Sequence, residues 1–165
     1  MSYDPTGAEA YLRQLAHNIH YLLGQPHEVL STLQRELEVV DSFFHLMQVR
    51  FGDRIQLERS LEPGCLDKKV PTLALQLLVE NAIKHNVATD QAPVRICITA
   101  TARGVEVANT ITRPPQGVRS GQVGLRNLRE RYQHLSRYQP EVLQQPDRFQ
   151  VRLPYITAIR KEAYV

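Results

Sequence analysis

The chain has 165 residues, 42% of them hydrophobic and 22% charged, which is enough apolar material for one buried core and excludes an intrinsically disordered chain. The net charge of +3 and pI near 9.0 suit a phosphate-bearing ligand but are too weak to argue for nucleic acid. No apolar run approaches the roughly 18 residues of a membrane span, no signal peptide is present, and Cys65 and Cys97 lack metal-ligand spacing, so two free thiols in a reducing compartment are expected.

In chain order, Met1 to Gly7 is a polar lead. Ala8 to Leu23 places Ala8, Leu12, Leu15, Ile19 and Leu22 at helical spacing, and Gly24-Gln25-Pro26 breaks it. A longer helix is predicted from about Glu28 to Phe51, with Ser31 and Gln34 resembling a capping box and Gly52 as its stop. These two helices carry enough apolar surface to expect a homodimer through them. The histidines His17, His20, His27 and His45 sit in no recognisable metal-binding or reactive motif and read as helix-surface or partly packed residues.

Arg54 to Leu61 alternates as a strand, Glu62-Pro63-Gly64 turns the chain, and Cys65 to Val70 is a short extended link. Pro71 to Asn86, PTLALQLLVENAIKHN, is predicted helical, with Pro71 and Thr72 suited to its start and Asn86 to a left-handed stop. At about 100° per residue, Gln76, Glu80, Asn81, Lys84 and His85 share one arc of roughly 180°, and Leu75, Leu78, Val79, Ala82 and Ile83 fill the other. Leu77 is an apolar residue inside the polar arc. Val94 to Ala102 and Val105 to Asn109 form a hairpin around Arg103-Gly104. Thr110 to Gln122 is a long loop, Val123 to Tyr138 a helix with Leu125, Leu128, Tyr132 and Leu135 inward, and Glu141–Gln144 with Arg148–Leu153 a last hairpin. Antiparallel neighbours with helices on one face make an α+β two-layer sandwich.

The chemistry gathers in two stretches. The carbonyl oxygen of Asn81 suits Mg²⁺, a hard cation that takes most other ligands from water and phosphate. Glu80 suits a metal-bound water or a base role, Lys84 a phosphate contact, and His85 a phosphate donor or a cap on the site. In SGQVGLRNLRERY, Gly121 and Gly124 lead into a helix whose first N–H groups can meet a phosphate, with Arg126 in the first turn. The competing reading of both stretches is an ordinary solvated helix face; Arg129 and Arg137 fit it at least as well.

LLVENAIKHN resembles the N-box, and SGQVGLRNLRERY the G-box, of the LytS-type sensor histidine kinases of the GHKL superfamily; LEVVDSFFHLMQVRFGDRI resembles the helix and strand that precede the N-box. The resemblance implies the Bergerat ATP-binding fold, a mixed sheet with helices on one face and a nucleotide lid where Thr110–Gln122 falls. It implies ATP and Mg²⁺ as cofactors, Asn81 as the metal-binding and nucleotide-binding asparagine, and Glu80, Lys84 and His85 as catalytic positions flanking the phosphates. Asn109, Gly121, Gly124, Leu125 and Arg126 complete the implied nucleotide site. The implied organisation is a helical segment, 1–52, within a dimerisation region, a catalytic domain, 53–156, and a tail, 157–165.

Three features depart from the family pattern. Asn109-Thr110 stands where relatives carry Asp-Asn-Gly, which is expected to weaken adenine binding by about 1 kcal/mol. Gln122 replaces a glycine. No Asn-Pro-His-Phe stretch, the site of the phosphorylated histidine, is present. The expected function is therefore the ATP-binding domain of a histidine kinase, transferring the γ-phosphoryl group to a histidine outside this stretch, with a response regulator as partner of the parent protein and no nucleic acid. The parent is expected to be an inner-membrane protein with this part cytoplasmic. The alternative is a degenerate nucleotide-sensing or dimerisation module.

Overall fold

The computed structural model describes residues 28–113 and 122–158. The helix expected over Ala8–Leu23, most of the long loop including Gly121, and the last residues of the tail lie outside them. Strand β1 (Leu30–Thr32) runs directly into α1 (Leu33–Phe51). The helix thus begins later than its periodicity suggested, and its cap is Thr32, whose hydroxyl accepts from Arg35 N at 3.3 Å, rather than the Ser31–Gln34 pair. Two further free N–H groups of its first turn are met by neighbouring backbone, Leu33 N by Lys68 O at 2.7 Å and Gln34 N by Leu66 O at 3.0 Å. After a short 3₁₀ turn come β2 (Ile55–Leu61) and β3 (Lys69–Pro71), which pairs antiparallel with β1. Of the expected extended link, only Lys69 and Val70 are in strand β3, and the residues before them form a turn.

Helix α2 (Ala74–Lys84) follows, then β4 (Val94–Thr101), β5 (Gly104–Thr110), α3 (Gln122–Leu135), β6 (Glu141–Gln144) and β7 (Arg148–Pro154). The main sheet has five strands in the order β2-β4-β5-β7-β6. Only β2 and β4 are parallel, because α2 carries the chain across between them, and the other neighbours are antiparallel. The fold is α+β with a mixed sheet, as the sequence predicts.

Alternation decides the two faces of the sheet. Val94, Ile96, Ile98 and Ala100 of β4, Val105 and Val107 of β5, and Val151 and Leu153 of β7 point into one core. The other face is polar and laced by Arg95 to Gln56, Gln150 to Glu106, and Arg152 to both Glu106 and Glu141. At Gly104 a Cβ would lie 2.5 Å from Leu153 O, so only glycine lets β5 approach β7 here.

All three helices close the same core. Leu33, Leu37, Val40, Phe43, Phe44 and Met47 of α1 are buried with the sheet residues and with Leu75, Leu78, Val79, Ala82 and Ile83 of α2. The apolar face of α1, expected to seek a partner chain, is thus occupied within this one. Leu128, Tyr132 and Leu135 face inward from α3 as expected, and Tyr132 Oη donates to Pro154 O at 2.9 Å, fastening α3 to the end of β7.

Candidate functional site

Helix α2 divides along its length as its sequence predicts. Ala74, Leu75, Leu78, Val79, Ala82 and Ile83 are buried, while Glu80, Asn81, Lys84 and His85 are half-buried on the opposite side. Its ends are built differently from expectation. Pro71 belongs to β3, and Thr72 caps nothing; its hydroxyl donates to Glu28 O. The N-cap is Leu73, whose φ of 64° is left-handed and costs a non-glycine residue about 1–3 kcal/mol. No side chain of the helix itself caps it. Instead Glu36, from α1, accepts from Leu73 N at 2.8 Å and from Leu75 N at 3.2 Å. A carboxylate at a helix start is favoured by both the free N–H groups and the positive end of the dipole.

At the C-terminal end the cap is His85, with φ −96° and ψ 4°, and Asn86 is not left-handed. Asn86 acts through its side chain: Nδ2 donates to Ala82 O at 2.8 Å, and Oδ1 accepts from Thr112 N at 2.7 Å. Thr112 Oγ1 donates to Val87 O at 2.9 Å, and Val87 N to Arg113 O at 2.9 Å. The chain leaving β5 is thereby stitched to the end of α2.

The two glycine-box and asparagine-box stretches meet. At Gly124, in the first turn of α3, a Cβ would lie 3.0 Å from Leu77 Cδ1 and 3.5 Å from Asn81 Nδ2. Leu77, the apolar exception in the polar arc of α2, is thus the residue on which the start of α3 rests. A larger residue at this position would have to push Leu77 aside by a few tenths of an ångström. Leu125 is half-buried beside it and packs on the core. Arg126 points elsewhere: its side chain is 69% exposed and 3.8 Å from Glu130 one turn on. Arg131, which the sequence reading left unassigned, reaches back to donate from Nη2 to Thr72 O at 2.8 Å.

Two groups at the site are electrostatically distinctive. Nε2 of His85 is enclosed with no hydrogen-bond partner, and its pKa is lowered, first by burial and then by the neighbouring Lys84 charge. The imidazole is therefore held neutral, its ring nitrogen unpaired. Asn109, at the end of β5 on the core side, is 7% exposed, and its Nδ2 donates to Thr110 O at 2.8 Å, which leaves Oδ1 as the amide's acceptor end. Among the described residues no three or more His, Cys, Asp or Glu side chains converge as a metal cage.

Glu36, Asn86 and Arg131 are the site-building residues that the sequence reading missed. Glu36 alone left a signal, an acid set in the apolar stripe of Leu33, Leu37 and Val40.

Comparison with known proteins accords with this geometry. The family model described as histidine kinase matches residues 1–55, a stretch that includes the whole of α1. Sensor protein LytS of Staphylococcus saprophyticus is 35% identical over 82 residues, which is 50% of this chain and 14% of that protein. Sensor protein LytS of Oceanobacillus iheyensis is 32% identical over 106 residues, 63% of this chain and 18% of that protein. In this stretch the chain is similar to the LytS sensor histidine kinases. It spans only a small part of the length of these LytS relatives. The cytoplasmic segment of histidine kinase QseC superposes with a TM-score of 0.52 at 11% identity, covering 94% of this chain and 98% of that one, a likeness of fold. Among the described residues, no helix is long and apolar enough to cross a membrane.

Proposed function

We propose that this chain is the ATP-binding catalytic part of a sensor histidine kinase, presenting ATP with Mg²⁺ so that the γ-phosphoryl group is transferred to a histidine outside this stretch of sequence. The observation that carries this reading is the meeting of Asn81 with Gly124. It sets an amide and a helix N-terminus side by side, with a cradle that any Cβ would fill. The residues present suit the nucleotide and its metal: an amide oxygen donor in Asn81, a cation in Lys84, an unpaired ring nitrogen in His85, and an acceptor in Asn109 for an exocyclic amine.

Mg²⁺, held by Asn81 and the nucleotide, would supply neutralisation of phosphate charge. The chain's own part is positioning. Asn81 contributes an oxygen, Lys84 a point charge toward the phosphates, Glu80 an acceptor for water, and the start of α3 free N–H groups. His85, neutral, offers a nitrogen without adding a second cation beside Lys84. Asn109 accepts without charge, so adenine is held less tightly than by a carboxylate. A homodimer through the N-terminal helices belongs to the same reading. A response regulator receives the phosphoryl group from the parent protein, whose catalytic part lies in the cytoplasm.

The test is calorimetric titration with ADP and a non-hydrolysable ATP analogue, with and without Mg²⁺, beside Asn81→Ala. Metal-dependent binding that weakens in the variant supports the reading. Absence of binding at millimolar nucleotide overturns it in favour of a degenerate module, for which the uncharged Asn109 is the specific motive.

A further inference from the structure

Glu36 is 1% exposed, yet it lies on the core-facing side of α1 among Leu33, Leu37 and Val40. Its two oxygens serve two different N–H groups, Oε1 that of Leu73 and Oε2 that of Leu75. Burial raises its pKa, while those two N–H groups, the Ser31 hydroxyl and the charge of Arg131 oppose that rise. Arg131 comes from α3 and is itself fastened to the Thr72 carbonyl, one residue before the capped turn. A buried anion from α1 and a partly buried cation from α3 therefore converge on the first turn of α2. Asn81 lies further along α2, and Gly124 two turns back along α3.

We propose that Glu36 is the positioning residue of the nucleotide site, fixing α2 through Leu73 and Leu75 and α3 through Arg131, so that a displacement of α1 changes the spacing between Asn81 and Gly124. The name of the site rests on the nucleotide-binding reading above; the mechanical linkage does not. The helix α1 lies in the stretch matched by the histidine-kinase model, and β1 leads directly into it. Movement of α1 reaches the nucleotide site through one carboxylate.

The experiment uses the whole chain and three variants, Glu36→Gln, Glu36→Asp and Arg131→Gln, each followed by amide NMR and by titration with ADP and Mg²⁺. Glutamine supplies one acceptor where the carboxylate supplies two, and its NH₂ group opposes the second backbone N–H. Glu36→Gln is expected to shift the Asn81 side-chain amide and the Gly124 backbone amide, to leave β6 and β7 unmoved, and to weaken ADP binding about fivefold or more. Glu36→Asp is expected to recover part of the binding, and Arg131→Gln to shift Gly124 more than Leu75. A folded Glu36→Gln variant with unmoved Asn81 and Gly124 signals and unchanged affinity overturns the proposal. Should that variant not fold, Arg131→Gln decides: unmoved Gly124 and Asn81 signals overturn it. If the wild-type chain binds no nucleotide, the nucleotide reading fails by itself, and the spectra still decide whether Glu36 sets the Asn81–Gly124 spacing.

Discussion

Asn86 and Thr112 are joined by a 2.7 Å hydrogen bond from the Thr112 N–H to the Asn86 side-chain oxygen. The same asparagine donates to Ala82 O, so one side chain both closes α2 and holds the strand exit of β5. Asn86→Ala removes both bonds and is expected to destabilise the chain by about 1–2 kcal/mol in denaturant unfolding. It should also speed hydrogen exchange at the Thr112 and Val87 amides, whose partners lie in this clasp. Asn86→Asp keeps the acceptor for Thr112 and loses the donor to Ala82, so its exchange at Thr112 should stay close to wild type.

Gly124→Ala tests the closest approach of α3 to α2. Alanine normally favours a helix interior over glycine by about 1 kcal/mol. Here its Cβ meets Leu77 Cδ1 at 3.0 Å, so Leu77 must give by a few tenths of an ångström beside Asn81. The expected result is little change in melting temperature together with about tenfold weaker nucleotide binding, equivalent to about 1.4 kcal/mol. Gly124→Ala combined with Leu77→Ala should restore much of the affinity, because the clash is then relieved.

His85 gives a pH dependence of definite sign. Its pKa in the folded chain lies below the ordinary 6.5, so the unfolded chain binds a proton more readily. Stability is fully present above 6.5 and is lost as pH falls from 6.5 toward the folded value. Thermal melts of wild type and His85→Asn through mildly acidic pH should show a shallower fall in the variant. Equal slopes would mean that the imidazole titrates as freely folded as unfolded.

Tyr132 carries both packing and a polar tether. Tyr132→Phe removes the bond to Pro154 O and leaves the ring, at an expected cost of about 1 kcal/mol. Tyr132→Ala also empties a wholly buried position and is expected to cost about 3–5 kcal/mol. Urea titrations of the pair separate the two contributions. Leaving Pro154 without its donor also makes the β7 end exchange faster.

Much of the chain was legible because periodicity records which side of an element is buried. The division of α2 into an apolar arc and a polar arc carrying Glu80, Asn81, Lys84 and His85 needed only its sequence, as did the alternation of β4 and the inward face of α3. So did the chemical suitability of Asn81 and the need for glycine near the start of α3. Local spacing fixes these features, since residues three and four apart on a helix share a face whatever the rest of the chain does.

What only the tertiary structure decided are the contacts between residues distant in sequence. Capping by Thr72 is replaced by Glu36, 37 positions upstream of Leu73, because Leu73 is left-handed and the free N–H groups point toward α1. The expected left-handed stop at Asn86 became a side-chain clasp, because Thr112 of a different element offers it a donor. The apolar face of α1 could as well have met a second chain; the sheet and α2 cover it, because amphipathicity states that a face must be buried and not by what. The meeting of Leu77 and Asn81 with Gly124, on which the site depends, follows from the crossing of two helices, and no pattern within either helix encodes that crossing.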